Sequence, residues 1–168
     1  MGEARADELV LQAEGLLVAT ADHGDAALDQ HVQKVLSVLR AKMNMDVVFV
    51  SRLADGKRTF MLVETAPGGE VVRPGQSDPV EQSWCHHIVN ERLPQFIKDA
   101  APLRASGAAP ATPLDIGTHL SVPLVLKDGK VYGTLCAFAF HVDDDITLQD
   151  IWRLRAVADL IAKRIEPG

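Results

Sequence analysis

The sequence predicts an α+β fold with antiparallel strands, on three observations. Apolar residues fall at helical spacing near both ends, a run rich in Val and Phe follows the first helix, and two Asp-Gly pairs are each flanked by strand-like segments. With 168 residues, 47% hydrophobic and 24% charged, the chain is sized as one domain that can bury about 70% of its unfolded surface without staples.

Residues 1–24 read as a helical extension or linker. A helix is expected over 4–20, but its stripe of Leu9, Ala13, Leu16 and Leu17 is weak and Asp22-His23-Gly24-Asp25 breaks it. The domain proper runs over 25–168. Its first helix is expected over 26–42, capped by Asp25 or a neighbour, with Leu28, Val32, Val35 and Leu39 on one face. The pattern then changes to that of strands: 45–53 and 59–65 are joined at Asp55-Gly56, a hairpin pair. Next comes a short helix, with Asp78 as N-cap, Pro79 at the first helical position and Glu81 completing a capping box, ended by Leu93-Pro94. A brief strand is expected over 95–98. The segment 100–113, with Pro102, Pro110, Pro113 and Gly107, reads as a mobile loop, with the alternatives of a lid over a cavity and an insert without a role. Strands over 116–126 and 131–140 flank Asp128-Gly129, and a last helix over 147–165 carries Ile151, Leu154, Ala158, Ile161 and Ile165. That spacing gives a narrow seam as well as a core face, and the first helix matches it, so a homodimer through the terminal helices is expected.

Composition excludes several function classes. The formal charge of −6 comes with no basic stripe, which argues against a nucleic-acid partner. No apolar run approaches the roughly 20 residues that cross a bilayer, so no membrane partner is expected. Two separated cysteines, Cys85 and Cys136, without a secretory leader point to reduced thiols and a cytoplasmic location.

The densest chemistry lies in 78–100, where Trp84, Cys85, His86, His87 and Asp99 crowd together. A nucleophilic cysteine needs a base within reach and a neighbouring cation or helix N-terminus. Cys85 is expected in mid-helix, with His86 about 100° around the cylinder, so adjacency makes no dyad. The bland alternative is that Trp84, Cys85, Ile88 and Val89 pack on the sheet while His86 and Asn90 face water. Neighbouring ligands that point apart also argue against zinc. Asp143, Asp144 and Asp145 sit where they oppose the dipole of the last helix, and Trp152 on that helix needs no partner to explain it.

In the last strand, Val131, Gly133, Leu135, Ala137 and Ala139 alternate with Tyr132, Thr134, Cys136, Phe138 and Phe140. The first set is small enough for a helix to approach; the second is assigned to a cavity. His119 and Ser121 share a face of the preceding strand and would supply a pocket with polar anchors.

The order helix, hairpin, short helix, short strand, hairpin, long helix resembles a GAF domain. Ser83-Trp84-Cys85 with Ile88-Val89, the step from Leu93-Pro94 to Asp99-Ala100, and Ser121-Val122-Pro123-Leu124 with Tyr132-Gly133-Thr134-Leu135-Cys136 carry that resemblance. It implies a central antiparallel sheet of five to six strands, with terminal helices on one face and a short helix plus loops over a ligand cavity on the other. The expected ligand-binding residues are Trp84, Cys85, Ile88, Asp99, His119, Ser121, Cys136 and Phe138. No catalytic or metal-ligating residue is assigned, and no cofactor is identified. The GAF-like free methionine-R-sulfoxide reductases use an attacking cysteine in the loop before the fourth strand, and 100–115 contains none. Bilin-binding members attach their chromophore at a Cys about 30 residues later than Cys85. Haem would need His119 or His87 as axial ligand, and the cyclic-nucleotide signature is missing. The expectation is a non-catalytic sensory domain of bacterial signal transduction that binds a small molecule and signals through its terminal helices, with its output elsewhere. The alternative is a dimerising interaction scaffold.

Overall fold

The computed structural model describes residues 7–17, 24–68 and 70–166. Helix α1, Glu8–Leu16, starts where Asp7 accepts the Val10 N–H at 3.1 Å. The outer ends of the helix expected over 4–20, residues 4–6 and 18–20, lie outside the described residues. A 3₁₀ turn at Gly24–Ala27 precedes α2, Gln30–Met43. The expected start at 26 is wrong because the Asp29 carboxylate, not Asp25, takes the free N–H groups of His31 and Val32 at 2.9 and 3.4 Å.

Strands β1, Val47–Ala54, and β2, Lys57–Thr65, are joined by Asp55 and Gly56 at φ 57° and 73°, the left-handed pair a two-residue hairpin requires. The expected capping box at Asp78 is not formed. Ser77–Pro79 instead make a short strand, β3, on β2, because Asp78 stands opposite Arg58 in the ladder and gives it both carboxylate oxygens. After a 3₁₀ turn at Val80–Gln82, α3 is only Trp84–Val89, with Ser83 Oγ accepting the His86 N–H at 3.1 Å. Strand β4 is Phe96–Ile97, and the segment read as a loop contains α4, Ala101–Ser106. Pro102 stands in its first turn, where a missing N–H costs nothing, and Gly107 ends it at φ 80°. Strands β5, Thr118–Val125, and β6, Val131–Ala139, turn through the three residues 127–129 rather than a bare Asp-Gly pair, with the Leu126 N–H donated to Lys130 O at 2.8 Å. Helix α5, Leu148–Ile165, starts on the capping box of Thr147 and Asp150.

All six strands form one antiparallel sheet in the order β3-β2-β1-β6-β5-β4. Its two faces bury separate cores. Helices α1, α2 and α5 cover one, where Leu36 and Leu39 meet Leu135, Ala137, Leu154 and Ile161. The residues proposed as a dimer seam lie here: Leu28, Val32, Val35 and Leu39, with Ile151, Leu154, Ala158, Ile161 and Ile165, are buried within one chain. That seam is therefore a core face, and any dimer must use other surfaces. Arg164 fastens this layer, donating to Asp29 Oδ2 at 2.6 Å and to the Leu17 and Ala27 carbonyls. Burial opposes the charge on Asp29, but contacts with His31 and Arg164 outweigh it and hold the carboxyl below its usual 3.8. The smallness of Gly133 serves β1 rather than a helix: a Cβ there would strike the Ser51 backbone.

Candidate functional site

On the opposite face β1, β2, β5 and β6 present Phe49, Arg58, Phe60, His119, Cys136 and Phe138 toward α3 and the segment 109–116. Period-two alternation puts them together: Phe49 pairs with Cys136, and His119 with Phe138, across neighbouring ladders. Between them lies a pocket of about 140 Å³. Trp84 closes one side and donates its Nε1–H to the Pro110 carbonyl at 2.9 Å, tethering the loop that carries Ala111 to Leu114 along the rim.

Arg58 is the hub of the polar wall. Its Nε and Nη2 donate to the two Asp78 oxygens at 2.9 and 2.6 Å, and its Nη1 lies 3.6 Å from the Cys85 sulfur. The guanidinium carbon sits 4.4 Å from the Phe60 ring centre and 5.8 Å from that of Phe49. Beneath it, Thr134 Oγ1 donates to the Cys85 sulfur at 3.1 Å, with the Ser51 hydroxyl 2.7 Å behind. Cys136 also donates to Cys85; against burial, these donors and Arg58 lower the Cys85 thiol well below its usual value. Burial and the Cys85 charge push Cys136 up instead.

His119 completes the wall. It is 3% exposed, between the Trp84 ring at 5.0 Å and the Phe138 ring at 6.3 Å. Its Nε2 lies 3.3 Å from the Cys136 sulfur, while Nδ1 has no hydrogen-bond partner among the described residues. Burial, reinforced by Arg58, lowers its pKa to about 3, so the ring is neutral at physiological pH. An unfolded histidine takes up its proton near 6.5 and the folded one does not, so stability rises with pH between about 3 and 6.5 and is lost as pH falls through that window. The expected slope approaches about 1.4 kcal/mol per pH unit. Thermal melting at pH 7 and pH about 4.5 checks this: His119→Phe should lose less on acidification than the parent, and equal losses would refute it.

Of the eight residues expected to bind ligand, Trp84, His119 and Phe138 line the pocket. Cys85, Ile88 and Cys136 belong to the buried cluster behind that lining, and Ser121 stands opposite Cys136 in the ladder. Asp99 is elsewhere: it is exposed and accepts the Ala101 N–H at 3.0 Å, which anchors α4 rather than closing a cavity. Cys85 is the second residue of α3 rather than a mid-helix one, and the cation it lacked in the sequence is Arg58. His86 meets Asn90, and His87 Nδ1 contacts the Ser83 carbonyl at 3.0 Å, so neither faces the thiol as a base. Arg58 and Asp78 were missed. The only signal was the position of Arg58 two residues before Phe60, which places both on one face without distinguishing an inward Arg from an edge one.

A family model described as GAF domain matches residues 25–166. The diguanylate cyclase DgcP of Escherichia coli (strain K12) is 27% identical over 115 residues, covering 67% of this chain and 33% of that protein. The chain thus spans about a third of the length of this curated relative. Among solved structures, free methionine-R-sulfoxide reductase from Neisseria meningitidis, in complex with its substrate, superposes with a TM-score of 0.74 at 16% identity, over 99% of this chain and 92% of that one. The GAF domain of a phosphoenolpyruvate-protein phosphotransferase from Acinetobacter gives a TM-score of 0.71 at 14% identity, over 94% and 90% of the two chains. At these identities the structures share the fold alone. No described helix is long and apolar enough to cross a membrane.

Proposed function

The chain belongs to the GAF domain family, and from that footing we propose that it is a non-catalytic sensory domain of a cytoplasmic signalling system, which binds a small molecule in the pocket beside Arg58 and His119. The observation that carries this reading is the fully buried His119 in the pocket wall, whose Nδ1 is without a partner. A buried polar atom left unsatisfied costs roughly 1–3 kcal/mol, and a ligand that pairs with it recovers that cost. Strand β5 offers the route outward: His119 is on the pocket side, while Leu120 and Val122 lie in the core under α5. A shift of the wall therefore reaches the terminal helices. We place a homodimer contact on their outer faces, where Leu148 and Trp152, one turn apart on α5, are 63% and 55% exposed.

Native mass spectrometry of freshly purified protein, with a thermal-shift screen of metabolites, tests both parts. The expected results are a dimer mass at high micromolar concentration and a compound that raises the melting temperature by mass action. A protein that melts unchanged with every compound would favour the interaction scaffold. The activated Cys85 thiol favours a second reading, reductase chemistry of the kind named for the Neisseria protein. Turnover of free methionine sulfoxide with a thiol reductant, lost in Cys85→Ala, would replace the non-catalytic reading.

A further inference from the structure

Building on the sensory reading above, we infer that the pocket takes an uncharged, single-ring heteroaromatic compound carrying an N–H that donates to His119 Nδ1. Size comes first. A cavity of about 150 Å³ holds benzene, whereas drug-sized ligands occupy about 300–1,000 Å³. The 140 Å³ found here suits one ring with small substituents.

Charge comes second. Arg58 gives three of its five N–H groups to Asp78 and Cys85, and its charge is already paired with the Asp78 carboxylate. Both oxygens of Asp78 are taken by the same guanidinium. Among the described residues no other Lys, Arg, Asp or Glu lines the pocket. An anion or a cation would therefore lose its hydration without finding an uncommitted counter-ion.

Shape and hydrogen bonding come third. Trp84 and Phe138 offer aromatic surfaces on either side of His119, which suit a flat ring. With the Cys136 sulfur 3.3 Å from His119 Nε2, one tautomer of the ring donates Nε2–H to that sulfur. In that tautomer Nδ1 holds a lone pair and accepts.

Isothermal titration calorimetry on the full chain tests this with two matched pairs, uracil against its 6-carboxylate orotate and nicotinamide against nicotinate. The neutral member of at least one pair should bind, and its carboxylate counterpart should bind at least about tenfold more weakly. His119→Phe keeps a ring in the wall and should weaken binding about fivefold to tenfold. Ala111→Trp acts from the exposed rim, independent of core packing, and should abolish binding by filling the pocket. Equal or tighter binding of a carboxylate, or of adenosine monophosphate, through a site lost in Ala111→Trp would overturn the ligand class and leave the sensory reading standing. So would silence from both neutral rings while the thermal-shift screen finds another compound. Neutral-ring binding that both variants leave unchanged would place the site elsewhere and overturn the inference. No binding by any compound would overturn both readings.

Discussion

Arg58→Met is expected to return Cys85 to an ordinary buried thiol. The guanidinium is the only cation at the Cys85 sulfur among the described residues, 3.6 Å away, and methionine keeps much of its volume without the charge. Thr134 and Cys136 still donate, but neutral donors alone leave a buried thiolate uncompensated. Cys85 then protonates, and Asp78, a third exposed, turns to water. The measurement is the ultraviolet absorbance of the thiolate across a pH titration, with Cys85→Ser as baseline. The parent should ionise well below the usual thiol value, and Arg58→Met should do so at or above it. The sign for stability follows. A thiol lowered by folding contributes stability that is fully present above its unfolded value, 9.0, and is lost as pH falls through the folded value. The parent should gain stability on raising pH toward 9, and Arg58→Met should not. Superimposable titrations of the two proteins would show that Arg58 does not set the Cys85 charge.

Gly133→Ala is expected to be the most damaging single methyl group in the sheet. A Cβ at this position would overlap the Ser51 carbonyl oxygen, lying 2.6 Å from the carbon of that carbonyl and 2.9 Å from Arg52 Cα. These are backbone atoms of β1, next to β6 in the middle of the sheet, so no side chain can rotate aside. Overpacking of this kind costs about 3 kcal/mol, which lowers the melting temperature by roughly 6–12 °C in a domain of this size. Gly15→Ala in α1 is the control: nothing lies within 4 Å of its added methyl, and helix propensity favours alanine. Thermal melting should separate the two substitutions. A Gly133→Ala melt equal to the parent would mean that β1 and β6 run further apart than described.

The elements that the sequence placed well are those dictated by local chemistry. Asp55-Gly56 needs only two residues able to take positive φ, and Thr147 with Asp150 needs only each other. The misplaced starts of α2 and α3 share a different cause. Several carboxylates and hydroxyls stood near each start, and distant partners chose among them: Arg164, 135 positions from Asp29, holds the cap of α2, and Arg58 draws Asp78 out of a helix cap into a strand. Asp99 differs from its expected place for a similar reason, since it accepts the Ala101 N–H at the start of α4, a short helix that Pro102 and the prolines after it concealed.

Alternation by twos told which face of β5 and β6 each residue would take, and so identified His119 and Phe138 with the pocket side, while the GAF resemblance supplied the layers and set the helix of Trp84 over the cavity. What the sequence by itself determined was the α+β class, the hairpins, the two-faced sheet and the family, because these depend on period and turn chemistry within a few residues. Only the tertiary structure decided that Arg58 points inward, that its guanidinium stands beside the buried Cys85 sulfur, and that the helical seam is core. Each of those properties depends on charges and surfaces brought together from distant parts of the chain, and no local pattern encodes the distance between them.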